Sequence, residues 1–210
     1  MGEIMQLLFP ERCVGCSGST KPEELLCRKC DLEWKYPIHN HIEGIPLISS
    51  AYYSKSISHI VLKAKENNDS RARKVLARAI AHHLNAPHVL LPIPSSRSAN
   101  RRRGFDHAFL LATEVARLTG GKVWQGLCTN RKVKDQTKLI HDQRFTNLAG
   151  AYSLTGGNYL SGALVVIDDL VTSGASLREA LRALKSGQIA PVAAISACIA
   201  THHLPNTIST

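Results

Sequence analysis

The chain has 210 residues and a formal net charge of +10, from 26 lysines and arginines against 16 aspartates and glutamates. The length predicts one domain, or one domain with a small appendage, and the apolar fraction of 44% suffices for a full hydrophobic core. The longest apolar runs are far shorter than the ~20 residues that span a bilayer, which excludes a membrane span, and the first residues do not resemble a signal peptide. We therefore expect a soluble cytoplasmic protein. Its positive charge favours polyanionic partners, phosphorylated small molecules or a nucleic acid backbone; solubility alone is the alternative.

Four of the six cysteines form two pairs near the amino terminus, Cys13-Val-Gly-Cys16 and Cys27-Arg-Lys-Cys30. Two such knuckles can present four thiolates to one tetrahedral Zn²⁺. A segment of about 40 residues with few apolar side chains needs a metal in order to fold. The pattern predicts a structural zinc site, because four cysteines leave no open position for catalysis. A redox-active pair is the alternative.

Two prolines, Pro37 and Pro46, enclose a predicted linker that contains His39 and His41. A short helix over 31–36 precedes this linker. We therefore expect a zinc-binding knuckle over residues 1–45 and a second domain over residues 46–210.

Predicted strands alternate with predicted helices along the second domain, which indicates a mostly parallel sheet flanked by helices. In such sheets ligands bind beyond the carboxyl ends of the strands. The predicted strands cover 45–50, 88–93, 122–127, 151–154, the stretch that begins at 164, and 192–198. The predicted helices cover 56–65, 71–84, 106–118 and the segment from about 176 to 187.

A cationic loop follows the strand over 88–93. It contains Pro94, Ser95, Ser96 and Arg97, and then the run Arg101-Arg102-Arg103. Cations between a strand and a helix are where an α/β protein holds anions, so the loop predicts a phosphate or diphosphate contact. A solvated surface run is the alternative reading.

A segment without clear periodicity covers residues 128–148 and carries five lysines and arginines. Connections of this length in a compact domain are usually active-site lids or disordered. We expect a flexible, basic flap here.

The most informative stretch is LVVIDDLVTSGASL, residues 164–177. A buried strand ends at Asp168 and Asp169, whose carboxylates can accept hydrogen bonds from the vicinal hydroxyls of a ribose. The segment TSGAS follows (Thr172, Ser173, Gly174, Ala175 and Ser176), where hydroxyls, backbone amides and a helix start form an anion site. The stretch predicts a site for a ribose and a phosphate.

These residues resemble the phosphoribosyl diphosphate (PRPP) signature of type I phosphoribosyltransferases. VLLPIPSSRSANRRRGFDHAFLLA (89–112) resembles the VPVP…R…RGFNQ…LA segment of the competence protein F family. TNRKVKDQTKLIHDQRFTNLAGAY (129–152) resembles that family's R…Q…R..N…F segment, and the four-cysteine knuckle is a further family feature. Asp106-His107 stands where the family has Asn-Gln, and serines replace threonines at 173 and 176. The segment LKAKENN resembles the family's LKYRG only loosely, so no role is carried over to Lys63.

The resemblance implies a type I phosphoribosyltransferase fold and a role for each motif. Asp168 and Asp169 would hold the ribose hydroxyls, and residues 172–176 would cradle the 5-phosphate. Residues 94–97 would face the diphosphate, which Mg²⁺ bridges to the sugar. The flexible loop, with Arg131, Gln136 and Arg144, would close over the ligand.

Two functions follow from this resemblance. The first is Mg²⁺-dependent phosphoribosyl transfer from PRPP to an unknown acceptor, linked to DNA uptake. The second is a non-catalytic module that senses PRPP or binds single-stranded DNA, with a DNA-uptake helicase as a further implied partner. Aromatic residues are only 5% of the chain, so we expect phosphate contacts rather than base stacking.

Overall fold

The structure is a computed structural model that describes residues 11–130, 150–156 and 160–200. Within these ranges the chain forms six helices and eight strands. The helices are α1 (Arg28–Leu32), α2 (Lys55–Glu66), α3 (Ser70–Ala81), α4 (Arg97–Arg103), α5 (His107–Thr119) and α6 (Ala175–Ser186). The strands are β1 (Ile38–Ile42), β2 (Ile45–Tyr52), β3 (Val89–Pro92), β4 (Lys122–Val123), β5 (Leu127–Thr129), β6 (Tyr152–Leu154), β7 (Leu164–Val171) and β8 (Ala193–Ile199).

Six strands form one sheet in the order β1-β2-β8-β7-β3-β4. The five strands β2, β8, β7, β3 and β4 are parallel to one another. In this sheet β1 alone is antiparallel, at the edge beside β2. Strands β5 and β6 form a separate antiparallel pair. The strand β7, which carries the two predicted aspartates, therefore lies in the middle of the sheet.

Two hydrophobic clusters cover the two faces of the sheet. One joins α2, α3 and α5 to the β7 side chains Val165 and Ile167. The other joins α6 and the β5–β6 pair to Leu164 and Val166. Because successive side chains of a strand point to opposite faces, β7 contributes to both clusters, as a buried central strand does.

This architecture confirms the predicted α/β class, with a mostly parallel sheet flanked by helices. The boundary between residues 45 and 46 remains a prediction. β1 precedes it and pairs with β2, which begins at Ile45.

The predicted linker over 37–46 is wrong, because β1 and the start of β2 form a β-hairpin there. Glu43 and Gly44 both have positive φ, of 48° and 81°, which is the requirement for a two-residue turn between antiparallel strands. Pro46 is accommodated because it lies at the beginning of its strand, where the loss of one N–H group is tolerated. His39 and His41 are strand residues rather than linker residues.

Three further elements differ from the sequence prediction. The run 97–103 is helical, with Ser96 as its N-cap and Gly104 ending it at φ 78°. The predicted strand over 122–127 is divided between β4 and β5, and the ring of Trp124 lies over Gly126 where the chain turns between them. The short helix lies at 28–32 rather than 31–36, and its first backbone hydrogen bond joins Asp31 N–H to Cys27 O.

No helix within the described ranges is long and apolar enough to cross a membrane. The predicted flap residues Arg131, Gln136 and Arg144 lie outside the described residues, as do His202 and His203.

Candidate functional site

The pairing of β3 with β7 brings the predicted diphosphate loop beside the two aspartates. Pro92 is the register partner of Ile167, and the N–H of Ile93 donates to Ile167 O at 3.1 Å. The segment 94–97 therefore leaves β3 where Asp168 and Asp169 follow Ile167 on the neighbouring strand. Both segments lie at the carboxyl edge of the parallel sheet, which is where α/β proteins bind ligands.

Within this loop the hydroxyl of Ser96 is the N-cap of α4 and accepts a hydrogen bond from Ala99 N–H at 3.2 Å. Pro94 and Ser95 are half-buried, and Arg97 is exposed in the first turn of the helix. The loop therefore presents hydroxyl groups and one accessible guanidinium beside the end of β7.

The predicted phosphate loop connects β7 to α6. Gly174 adopts φ 73° and is the N-cap residue of α6, without a side-chain cap. Ser173 is buried, and its carbonyl accepts a hydrogen bond from Arg178 Nη1 at 2.9 Å. A positive φ and a missing Cβ at the start of a 12-residue helix would let the backbone approach an anion closely.

The two aspartates do not share one environment. Asp169 lies on the face of the sheet that α2 and α5 cover, and only 5% of it is exposed. Side chains of β7 alternate between the two faces, so Asp168 is on the α6 side, together with Leu164 and Val166. Asp168 is half-buried. Its Oδ1 accepts the backbone N–H of Asp169 at 2.9 Å.

Asp169 is held by groups from three elements. Lys65 Nζ of α2 lies 2.9 Å from Oδ2 and 3.3 Å from Oδ1. His107 Nε2 of α5 lies 3.4 Å from Oδ2, slightly beyond an ordinary hydrogen bond, and His107 is 2% exposed. The Cys198 thiol of β8 donates to the Asp169 carbonyl at 3.4 Å. Asp169 is thus a junction between two helices and two central strands.

These contacts set the pKa values of the pair in opposite directions. Burial acts to raise the pKa of Asp169, but the Lys65 ammonium and His107 outweigh it and hold that pKa well below its usual range. Burial, together with the negative charge of Asp169, raises the pKa of Asp168. Burial acts to lower the pKa of Lys65, and the two carboxylates overcome it and raise that pKa.

Glu66, next to Lys65 in α2, binds two arginines of the cationic run. Its carboxylate lies 3.1 Å from Arg102 Nη2 and 2.9 Å from Arg103 Nη2. Arg103 is almost fully buried. Burial acts to raise the pKa of Glu66, but Arg103 and Arg102 outweigh it, and the pKa is lowered. The carboxyl end of α2 thus fixes α4 beside the site.

On the α6 side of the site, Tyr152 and Glu179 attach the small sheet to the helix. The backbone N–H of Tyr152 donates to Glu179 Oε1 at 3.2 Å, and Arg182 Nη2 donates to Tyr152 O at 3.0 Å. The Tyr152 phenol interacts with Ser176 of the phosphate loop, while burial raises its pKa to about 12. Tyr152 therefore links the small β5–β6 sheet to the phosphate loop.

The four predicted metal ligands form a cluster. The Sγ atoms of Cys13, Cys16, Cys27 and Cys30 all lie within 4.8 Å of one another, and those of Cys16 and Cys27 are 3.7 Å apart. Tetrahedral coordination at a Zn–S distance of about 2.3 Å requires sulfurs about 3.8 Å apart, so the donor set fits Zn²⁺. Burial acts to raise the pKa of Cys13, but the backbone amides of the knuckles outweigh it and lower the pKa to about 6. The thiolate is the form that binds metal.

The cysteine cluster is attached to α2. Lys63 Nζ donates to Val14 O at 3.0 Å, and His59 Nδ1 lies 3.1 Å from Gly15 O. Glu33 accepts hydrogen bonds from Ser54 and Ser56, at the beginning of the same helix. One helix therefore connects the cysteine cluster, through Lys63, with the candidate site, through Lys65.

Sequence reasoning missed four residues of this arrangement: Lys65, Glu66, His107 and Tyr152. Lys65 and Glu66 lie in the segment LKAKENN, which resembles the family's LKYRG loosely. That comparison concerned Lys63, which contacts the cysteine cluster instead. His107 was noted only as a departure from the family pattern. Helical spacing does not show which distant residue a side chain meets, so nothing in the sequence joined these residues to Asp169.

The chain is therefore an α/β protein with a mostly parallel sheet. It carries acids and a hydroxyl-rich loop at the carboxyl edge of that sheet, and a four-cysteine cluster near its amino end. No protein-family model matches the chain. Curated relatives do match. Competence protein F of Haemophilus influenzae is 23% identical over 198 residues, which cover 82% of this chain and 83% of that protein. DNA utilization protein YhgH of Escherichia coli K12 is 24% identical over 188 residues, which cover 80% and 81%.

These matches confirm the resemblance to the competence protein F family that the motifs predicted. Among solved structures, one described as the allosteric regulatory enzyme of purine biosynthesis aligns with a TM-score of 0.37 and 20% sequence identity. The alignment covers 60% of this chain and 25% of that one.

Proposed function

We propose that this chain binds PRPP together with Mg²⁺ and transfers the phosphoribosyl group to an acceptor, in a process linked to DNA uptake. The observation that carries the proposal is the meeting of three features at one edge of the sheet. These are the aspartate pair at the end of β7, the loop 172–176 that opens α6, and the loop 94–97 that follows β3. A ligand with a ribose between a phosphate and a diphosphate matches all three.

In this proposal the ribose lies beside the aspartate pair of β7, where a carboxylate oxygen accepts hydrogen bonds from its hydroxyls. The 5-phosphate binds the amino end of α6 around Gly174, where backbone N–H groups and hydroxyls can donate hydrogen bonds to an anion. The diphosphate faces 94–97, and Arg131, Gln136 and Arg144 close over the ligand. Mg²⁺ fits a donor set of carboxylate and phosphate oxygens, and it would supply positive charge to the diphosphate.

The chemistry of phosphoribosyl transfer needs cations rather than a protein nucleophile. As the bond between C1 and the diphosphate breaks, positive charge develops on the ribose and negative charge on the leaving group. Arg97, in the first turn of α4, is an exposed cation near this edge. A closing flap would exclude water, which otherwise competes with the acceptor.

We further propose that the cysteine cluster binds a structural Zn²⁺. The support is the number and spacing of the donors, with four thiols available to one ion. Because Lys63 and His59 hold the knuckle backbone against α2, the metal would stabilise the helix that carries Lys65.

Isothermal calorimetry with PRPP and Mg²⁺ tests the main proposal. We expect the wild-type protein to bind and Asp168→Asn to bind at least tenfold more weakly, while Glu114→Gln, which lies in α5 and pairs with Arg117, binds normally. Equal affinity of wild type and Asp168→Asn, or no binding by the wild type, would contradict the proposal. Release of diphosphate in the presence of a set of acceptor bases then separates transfer from a PRPP-sensing role: binding without release supports the sensor.

A second candidate function is the binding of single-stranded DNA, and one of the matched relatives is named a DNA utilization protein. The observation in its support is a groove of about 1130 Å³ between the cysteine-rich segment and α3. Trp34 and four cations line it, with three acids among them: Lys21, Arg28, Lys35 and Arg78, and Glu23, Glu24 and Asp31.

A salt titration with an oligothymidine tests this second function. Phosphate contacts predict affinity that falls steeply with salt and is weakened by Arg28→Glu with Lys35→Glu. Lys122→Glu with Lys185→Glu, two exposed residues outside the groove, changes the net charge by the same amount and is the control for charge alone. No binding even at low salt would remove the candidate.

A further inference from the structure

The two neighbouring aspartates have different neighbours, and this difference carries one further inference, which rests on the proposed PRPP site. Asp169 is 5% exposed and its carboxylate is already engaged by Lys65. Asp168 is half-buried, and its Oδ1 accepts the N–H of Asp169. A carboxylate that is only 5% exposed, and has a lysine beside both of its oxygens, has little accessible surface left for a ligand.

The charges at the site also indicate different roles for Asp168 and Asp169. PRPP carries a phosphate and a diphosphate, and two free carboxylates beside it would repel such a polyanion. The Lys65 ammonium, 2.9 Å from Asp169 Oδ2, cancels one of the two negative charges. Its own side chain is 32% exposed, so it lies between the interior and the ligand edge.

His107 completes the buried surroundings of Asp169. Its Nε2 is 3.4 Å from Asp169 Oδ2, and its Nδ1 has no hydrogen-bond partner within the described residues. The ring therefore covers the α5 side of the carboxylate and lies beside Oδ2, the same oxygen that Lys65 contacts at 2.9 Å.

We propose that Lys65 is a positioning residue that holds Asp169 inside the protein, so that Asp168 alone receives the ribose hydroxyls. Lys65 acts through Asp169 in two ways. It fixes the end of β7, and it keeps the charge at the site low enough for a polyanionic ligand. Asp169 is then an anchor of the site rather than a ligand to the sugar.

The test is a double-variant cycle in PRPP–Mg²⁺ affinity, measured by calorimetry on the full chain. Lys65→Met leaves Asp169 charged and unpaired, and we expect affinity to fall at least tenfold. Lys65→Met combined with Asp169→Asn removes both charges together, and we expect affinity to return to within about threefold of wild type. Lys65→Arg, which keeps the charge, should bind nearly as wild type does.

If Asp169 instead binds the ribose, the double variant must bind as weakly as Lys65→Met or more weakly, and that result would overturn the inference. Urea unfolding of each variant shows whether it is folded, and the double variant avoids a buried unpaired charge, so it remains informative where a single variant is unstable. No binding by the wild-type protein would instead contradict the proposed PRPP function itself, so the two failures are distinguishable.

Discussion

Lys65 Nζ lies 2.9 Å from Asp169 Oδ2, although 104 residues separate the two in the chain. This pair joins the last turn of α2 to the middle strand of the sheet. Within the described ranges Asp168, one residue earlier, forms no ion pair, and burial together with the charge of Asp169 raises its pKa. Two identical side chains in sequence are therefore different groups in the folded protein.

Their replacement should change stability in different directions. Asp169→Asn leaves the Lys65 ammonium unpaired against the interior, and we expect a loss of about 1–3 kcal/mol in the free energy of unfolding. Asp168→Asn removes a carboxylate that is unfavourable when charged, so we expect no loss or a small gain at pH 7.5. Urea unfolding followed by circular dichroism measures both. Equal losses in the two variants would show that the aspartates are equivalent.

The pH dependence of the two variants should also differ in sign. The folded-state pKa of Asp169 is lowered, so its stabilisation is present above the unfolded pKa of about 3.9 and is lost as the pH falls through the folded pKa. The folded-state pKa of Asp168 is raised, so its penalty is absent below about pH 3.9 and grows as the pH rises toward the folded pKa.

Unfolding free energies measured between pH 2 and pH 8 test this. The advantage of the wild type over Asp169→Asn should be nearly constant above about pH 5 and should shrink as the pH falls below the unfolded pKa of about 3.9. The disadvantage of the wild type relative to Asp168→Asn should grow as the pH rises above about 3.9. Parallel curves for the two variants would contradict the assigned pKa directions.

Glu179→Ala should detach the small β5–β6 sheet from α6. Its buried carboxylate accepts the Tyr152 N–H, and its removal leaves that backbone group and Arg182 without this partner, at a cost of roughly 1–3 kcal/mol. Glu114→Ala is a matched control, because Glu114 pairs with Arg117 at the same spacing on a more exposed helix surface. That pair should contribute no more than about 1 kcal/mol. A similar cost in both variants would show that the Tyr152 contact is unimportant.

Cys13→Ser should abolish stoichiometric zinc binding and destabilise the segment around the cluster. Cys128→Ser is the control, because Cys128 lies in β5 and outside the cluster. Metal content after dialysis, measured by mass spectrometry, distinguishes the two. Full zinc content in Cys13→Ser would contradict the proposal that four cysteines bind the metal.

Gly174→Ala should weaken PRPP–Mg²⁺ binding through the backbone of the phosphate loop. Gly174 has φ 73°, and an alanine there costs about 1 kcal/mol and adds a Cβ where the anion approaches. Gly120→Ala is a control with nearly the same backbone strain, at φ 72°, just before β4 at the other edge of the sheet. Both variants should lose similar stability, but only Gly174→Ala should lose affinity in calorimetry. A loss of affinity in both would point to a general effect of instability.

The local features of the site were predictable from the sequence because they depend on neighbouring residues. The apolar strand that carries Asp168 and Asp169, the glycine at 174 and the two cysteine pairs each have their own pattern. The strand itself does not end at the two aspartates, as the sequence suggested, but continues through Leu170 to Val171, which pair with β8. The hairpin over 38–52 was missed, because Glu43 is an uncommon residue for a left-handed turn and two prolines suggested a linker. The helix α4 was missed because a run of arginines and a serine cap have no apolar period.

By itself, the sequence determined the α/β class, the four-cysteine cluster and the loops that could hold phosphates. Only the tertiary structure decided which groups surround each of these. It placed Lys65 against Asp169, Glu66 against Arg103, and Lys63 against the cysteine knuckle. The reason is physical. Backbone conformation follows from short-range sterics and hydrogen bonds, whereas a charged side chain is paired by whichever distant group packing brings within about 3 Å.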